Sequence, residues 1–210
     1  MKQCILFCAG DFDGTIQPHD PDAYIIAVDG GFVHTQTVGL TPNAILGDFD
    51  SLGFVPEGAA VFPKKKDDTD TLLALRHGLA LGCREFYLYG AMGGSRPDHT
   101  MANYQALQFL CDRGAAGYLV GKDQVVTVVK NSTLRFPAGW EGFLSVFCLG
   151  SDATGVTLEN FAYPMTDGVL SAGFPLGVSN HFTGKAAAVT VEKGSLLVFW
   201  QRKNGFPQRK

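Results

Sequence analysis

Helical periodicity in this chain stops at Gly117, and from there to the C-terminus the pattern is one of strands and turns. Before that point strand-like and helix-like segments alternate. Apolar runs at 4–8, 23–28, 44–46, 59–62 and 85–89 have the length of buried strands, with Asp-Gly, Gly-Gly and Thr-Pro punctuation between them. Residues 32–38 predict a short helix. From Asp68 the pattern turns helical: Leu72, Leu75 and Leu79 recur at three- and four-residue spacing, Asp and Thr stand where N-caps belong, and Gly82 supplies a stop. Pro97 opens a further helix to about Arg113, before Gly114. Such alternation predicts a mostly parallel, doubly wound sheet with helices on both faces, a three-layer α/β arrangement. After Gly117 strand candidates lie at 124–129, 133–136, 143–148, 155–158, 186–191 and 195–199, and Val191-Glu192-Lys193-Gly194-Ser195 reads as a hairpin. The predicted organisation is an α/β domain at 1–121 and an all-β domain at 122–210, the latter ending in a basic, frayed tail at 201–210.

Composition excludes several classes. A formal net charge of −3 leaves no basic stripe, so no nucleic-acid partner is expected. The apolar runs are strand-sized and predict no membrane span, and 1–8 reads as a first strand, not a signal peptide. Five cysteines (Cys4, Cys8, Cys83, Cys111, Cys148), an odd number with no CxxC pair, predict structural thiols in a reducing cytoplasm.

The chemistry concentrates at the exits of predicted strands. Asp29-Gly30-Gly31, Gly47-Asp48-Phe49-Asp50-Ser51, Lys66-Asp67-Asp68-Thr69-Asp70 and Gly93-Gly94-Ser95-Arg96-Pro97-Asp98-His99 all stand where a strand gives way to a loop or helix. In open α/β sheets ligands bind outside the carboxyl ends of the strands. Gathered carboxylates repel one another unless a cation sits among them, and Mg²⁺ takes one or two carboxylates alongside water and substrate phosphate. Gly93 and Gly94 permit close backbone approach, the helix opened by Pro97 offers free N–H groups, and Arg96 adds a planar contact to phosphate oxygens. Each segment alone has a plain alternative: Asp-Gly-Gly is a common turn, 67–70 suits an acidic first helical turn, and 93–99 suits a flexible connection. Four at corresponding ends point to an enzyme that handles a magnesium–polyphosphate substrate.

Standard nucleotide motifs are absent. Gly184-Lys185 has Ser179 where the first glycine of a P-loop belongs, and no G-x-G-x-x-G comes after the first strand. Asp11-Phe12-Asp13-Gly14-Thr15 resembles the first motif of haloacid dehalogenase-like phosphatases, with Asp11 as nucleophile, but Ala9-Gly10 separates it from the strand and the β region goes unexplained.

G-D-F-D-S at 47–51, D-x-T-D at 67–70 and G-G-x-R-x-D-H at 93–99, in that order, together with Ala27-Val28-Asp29-Gly30-Gly31 and a closing Gly177-Val178-Ser179-Asn180, resemble the thiamine pyrophosphokinase family over nearly the whole chain. The resemblance implies an α/β catalytic domain and then a β-sandwich substrate domain. It implies transfer of the pyrophosphoryl group of ATP to the hydroxyethyl oxygen of thiamine, giving thiamine diphosphate and AMP. A cytoplasmic homodimer that shares its site between subunits, with Mg²⁺ as cofactor, is implied too. By that resemblance Asp48, Asp50, Asp67 and Asp70 hold Mg²⁺, and Asp48, Asp50, Asp70 and Asp98 act in catalysis. Asp29, Gly30, Gly31, Gly93, Gly94 and Arg96 contact ATP or phosphate; Thr69, Ser179 and Asn180 contact thiamine. The first strand exits through Cys8-Ala9-Gly10-Asp11, more acidic than the family's usual exit, and Phe161, Tyr163 and Phe174 are all open as the ring that stacks on thiamine. A thiamine- or nucleotide-binding sensor would need the glycine turns and a β-domain pocket but not the full set of carboxylates.

Overall fold

The computed structural model describes residues 1–50, 52–63 and 67–207; Ser51 and Lys66 of the motifs above and the tail residues 208–210 lie outside them. The chain divides into two compact units, Met1–Lys122 and Asp123–Lys210.

In the first unit, strands β1 (Gln3–Phe7), β2 (Tyr24–Val28), β3 (Ala44–Gly47), β4 (Ala60–Val61), β5 (Glu85–Tyr89) and β6 (Ala116–Val120) lie parallel in the order β6-β5-β1-β2-β3-β4. Their near-continuous apolar composition fits: in a parallel sheet both faces are covered, so a strand need not alternate. Phe7 stands in register with Ala27 on one side and Tyr89 on the other. From β1 the chain steps outward to β4, then returns across the sheet to β5 and β6. The strand order therefore reverses between β1 and β5, which places a topological switch point at their carboxyl ends.

Helices α1 (Gly31–Thr37), α2 (Asp70–Ala80) and α3 (Pro97–Cys111) occupy the connections. α2 begins where Thr69 Oγ1 accepts the Leu72 N–H at 3.2 Å, two residues later than the sequence pattern predicts, so Asp67 and Asp68 stay outside the helix. Its buried stripe is Ala74, Leu75 and Gly78, with Leu72 and Leu79 half-exposed. The long connection from β1 to β2 is fastened by His19, whose Nε2 lies 2.7 Å from the Tyr89 hydroxyl. That hydroxyl also accepts the Gln17 N–H, and the His19 ring lies 4.4 Å from that of Tyr87. Burial pushes the His19 imidazole down to about 4.

β6 escapes the sequence pattern. All five of its residues are buried, so it shows no alternation, and only the flanking Gly114 and Gly121 with their charged neighbours mark it.

The second unit is built from β7 (Gln124–Lys130), β8 (Thr133–Phe136), β9 (Phe143–Cys148), β10 (Ala153–Glu159), β11 (Met165–Leu170), β12 (Asn180–His181), β13 (Ala187–Thr190) and β14 (Ser195–Gln201). They run antiparallel in two sets, β12-β9-β14-β7 and β11-β10-β13-β8. The rings of Phe136, Trp140, Phe161, Phe182 and Trp200 meet with centroids 5.2–6.2 Å apart. Phe161 is thereby a core residue, while Tyr163 and Phe174 are 68% and 65% exposed.

The predicted hairpin at 191–195 is a correction. β13 pairs with β8 and β10, and β14 with β7 and β9, so this segment carries the chain from one sheet to the other. It is stitched on the way: Glu192 N–H donates to Thr154 O at 3.2 Å and Thr154 N–H to Lys193 O at 2.9 Å. Gly194 N–H donates to Asn131 Oδ1 at 2.9 Å and Val191 N–H to Ser132 O at 3.0 Å, beside the parallel crossing from β7 to β8. The predicted fraying at 201–210 also fails over its described part. Arg202 is buried in a 3₁₀ turn, Trp200 Nε1 donates to Gly205 O at 2.8 Å, and Asn204 Nδ2 donates to Glu141 O at 2.8 Å.

Candidate functional site

At the switch point of the first unit lies a cavity of about 710 Å³. The exits of β1 (8–11), β2 (Val28, Asp29), β3 (Asp48, Asp50) and β5 (90–91 and 93–96) line it, together with 67–71 at the head of α2 and His99, Thr100 and Asn103 of α3.

Its acidic wall is assembled by backbone donors. Asp29 comes directly after β2 with φ of 48°, and its Oδ1 accepts the N–H groups of Asp48 (2.9 Å) and Phe49 (3.2 Å). Gly47 makes this possible, because a side chain there would run into the Asp29 carboxylate. Asp48 Oδ1 in turn accepts the Asp50 N–H at 3.2 Å. Ligand oxygens of Asp29, Asp48 and Asp70 come within 4.8 Å of one another, all three side chains half-buried. Desolvation pushes the Asp29 carboxyl up to about 6; the nearby charges of Asp70 and Asp48 add to the rise, and the Phe49 and Asp48 N–H groups oppose it. Three carboxylates gathered in this way supply the oxygen donors that a hard divalent cation takes. Asp50 and Asp67 line the same cavity from more exposed positions.

The opposite wall is the loop after β5. Gly93 and Gly94 both hold φ of 78°, a conformation that costs other residues dearly. Gly94 N–H donates to Asp11 Oδ2 at 2.8 Å. Asn103, buried on α3, donates from Nδ2 to Ala91 O at 2.7 Å and fixes where the loop leaves the strand. Arg96 is gripped by Asp98, with Nη2 2.7 Å from Oδ2 and Nε 3.0 Å from Oδ1. The guanidinium holds the Asp98 carboxyl down at about 2. Cys8 also lines the cavity, but burial pushes its thiol up to about 12, so at neutral pH it is no nucleophile.

Of the residues singled out from the sequence, Asp29, Asp48, Asp50, Asp67, Thr69, Asp70, Gly93, Gly94 and Arg96 line this cavity. Gly30, Gly31 and Asp98 do not: Gly31 is buried against β1, where a side chain would strike the Phe7 carbonyl, and Asp98 is spent on Arg96. Asp29, expected at phosphate, instead joins the carboxylate trio. In the second unit Ser179 is exposed with φ of 58°, and its N–H donates to Ser145 Oγ at 3.0 Å. Asn180 is 4% exposed and committed to backbone: Oδ1 accepts from Tyr163 N (2.9 Å) and His181 N (2.8 Å), and Nδ2 donates to Tyr163 O (2.7 Å). Sequence reading offers Asp11 only as a phosphatase nucleophile and passes over Asn103. The i, i+4 spacing of His99 and Asn103, which puts both on one helix face, is the signal that would have found the latter.

Two family descriptions match the chain: the thiamine pyrophosphokinase catalytic domain over 17–116 and the thiamine pyrophosphokinase vitamin B1 binding domain over 131–197. The chain belongs to the thiamine pyrophosphokinase family. That makes it an enzyme of the transferase class. A thiamine pyrophosphokinase of Bacillus subtilis is 28% identical over 189 residues, covering 82% of this chain and 85% of the relative. The solved thiamine pyrophosphokinase of Geobacillus thermodenitrificans superposes with a TM-score of 0.78 at 26% identity, over 95% of this chain and 96% of that one. The Candida albicans thiamine pyrophosphokinase keeps the fold, with a TM-score of 0.76 at 12% identity over 95% of this chain and 88% of that one. Among the described residues no helix is long and apolar enough to cross a membrane. In the phosphatase-like 11–15 segment, Asp11 Oδ2 accepts the Gly94 N–H of the glycine loop.

Proposed function

We propose that this chain transfers the pyrophosphoryl group of ATP to the hydroxyethyl oxygen of thiamine, releasing AMP and thiamine diphosphate. The observation that carries the reading is the single cavity that sets the Asp29–Asp48–Asp70 trio against the Gly93–Arg96 loop. Family membership supports the substrate and the transferase class.

Asp29, Asp48 and Asp70 would hold Mg²⁺, with Asp50 and Asp67 reaching it directly or through water. When bound, Mg²⁺ neutralises phosphate charge and orients the polyphosphate. Gly93, Gly94 and Arg96 hold phosphate oxygens, so that the β-phosphorus is presented in line to the incoming hydroxyl; phosphoryl chemistry needs chiefly such positioning and charge stabilisation. A cavity carboxylate accepts the hydroxyl proton, a contribution of about 10²–10⁴-fold. Asp98 acts by setting the Arg96 guanidinium.

The second unit, folded as a β-sandwich, recognises thiamine. Of the three candidate rings, Tyr163 and Phe174 are the exposed ones available to a cationic thiazolium, Ser179 is an exposed polar contact, and Asn180 holds the wall that carries Tyr163. The exposed apolar run Phe174, Leu176 and Val178 supports a homodimer as the active form. Incubation with ATP, Mg²⁺ and thiamine, and then mass spectrometry, tests the reaction: AMP and thiamine diphosphate appear in equal amounts. Free phosphate without thiamine diphosphate would refute it. Sedimentation of an active monomer would refute the dimer.

A further inference from the structure

We propose that Asp11 is a built-in substitute for substrate phosphate, so that polyphosphate enters this cavity by displacing a carboxylate of the protein's own chain. The inference rests on the reading of the cavity as a polyphosphate site, and two observations carry it. The Gly94 N–H, the donor that the left-handed glycine pair brings to the cavity wall, is taken at 2.8 Å by Asp11 Oδ2, and Asp11 itself lines the cavity. Arg96, the other anion-binding group of that loop, is likewise taken by a carboxylate, with both Asp98 oxygens against its guanidinium.

Both anion-recognising groups of the loop are thus satisfied internally by anions. A carboxylate oxygen and a phosphate oxygen make the same demand on an N–H, and the two charges cannot share one donor without repulsion. The free loop is held ready in its binding shape, because Asp11 keeps Gly93 and Gly94 in a conformation that a solvated glycine pair would lose. Held closed, however, it binds less tightly than an open loop would, since apparent affinity falls with the fraction of competent protein. Asp11 is a positioning residue whose charge sets the threshold for anion entry. Its place four residues beyond β1, on a connection anchored by His19, lets the carboxylate withdraw without moving a strand.

A brace and a substitute make different predictions. If Asp11 only braces the loop, Asp11→Asn keeps the acceptor and behaves as wild type, while Asp11→Ala loosens the loop and weakens binding. If its charge competes with phosphate, Asp11→Asn binds polyphosphate more tightly than wild type, and Asp11→Ala gains less because it also loses the acceptor that shapes the loop. The measurement is calorimetric titration of wild type, Asp11→Asn and Asp11→Ala with inorganic triphosphate and Mg²⁺, alongside the KM for ATP in the thiamine reaction and a thermal unfolding midpoint. We expect the dissociation constant for triphosphate and the KM for ATP to fall about three- to tenfold in Asp11→Asn, which keeps the acceptor, and by less in Asp11→Ala, which loses it. Unchanged or weaker binding by folded Asp11→Asn would overturn the inference even if Asp11→Ala proved unstable. Wild-type protein that turns over ATP and thiamine normally keeps the underlying reading intact in that event. Wild type that neither binds triphosphate nor turns over ATP would bring down both.

Discussion

Asp48 and Asn180 are both polar residues at places where the sequence points to ligand contact, and the structure uses them in opposite ways. Asp48 receives its backbone support from a neighbour, Asp29, gives one oxygen to the Asp50 N–H at 3.2 Å, and keeps its carboxylate half-exposed in a cavity. Asn180 is buried and spends oxygen and nitrogen alike on the backbone at Tyr163 and His181. A polar side chain remains available for chemistry when its backbone bonds leave part of it facing a cavity. Where those bonds take all of it, its loss is felt by the fold first.

The sharpest break would come at the carboxylate trio. Asp70→Asn should lower AMP release at least about 10²-fold while the unfolding midpoint stays within a few degrees of wild type, because a charge aimed at the substrate is removed and no packing with it. Normal turnover in that variant would sink the trio as the catalytic charge cluster. Asn180→Ala should show the reverse, costing about 2–3 kcal/mol in urea unfolding by stranding the Tyr163 backbone groups. Its kcat per folded molecule should change far less than that of Asp70→Asn, and a loss of kcat without destabilisation would return Asn180 to direct thiamine contact.

His19 tests whether burial, and not membership of one unit or the other, makes the difference. Its imidazole titrates near 4 when folded and at 6.5 as an ordinary histidine. Between those values the unfolded chain holds the extra proton, so stability from this group is complete above about pH 6.5 and declines as pH falls toward 4. Any stability advantage of wild type over His19→Gln at pH 7.5 should therefore shrink by on the order of 2 kcal/mol at pH 4.5, a figure reduced from the full shift for partial exposure. A pH-independent difference would refute the titration. The smallest effect belongs to Thr69, which lines the cavity and caps α2 at once. Thr69→Ala should cost about 1 kcal/mol of stability, and Thr69→Ser, which keeps the hydroxyl, should restore it.

These contrasts also mark what was legible in the sequence. Residues 85–89 form β5 at the predicted bounds because a short apolar run between a helix stop and a glycine loop admits one reading. β6 carries no alternation because both its faces are buried, and the glycines at 114 and 121 are the signal that would have marked it. β11, with Asp167 and Gly168 within it, reads as turn because its partner strand, not its own composition, makes it extended. The 191–195 segment has the local chemistry of a hairpin, yet which sheet each arm joins is decided by residues far away in sequence. In the site, the aspartate clusters were visible because strand exits of a parallel sheet converge. Pairing stayed hidden: Asp29 with the 48–49 backbone and Asp11 with Gly94 link segments distant in sequence, and Asp98 folds back on Arg96 within one, by side-chain geometry that spacing alone does not encode.

The stitched passage from β13 to β14 limits how this chain can be altered. Its backbone is bonded to Thr154, Asn131 and Ser132, so two connections between the sheets form one seam that cannot be lengthened at one point without tearing the other. An inserted domain at 192–194 should break the fold of the second unit, whereas one at 172–176, where the chain is exposed and its bonds are mostly local, should leave that unit folded and cost only the proposed dimer and thiamine contacts. The seam, on this view, has a fixed length.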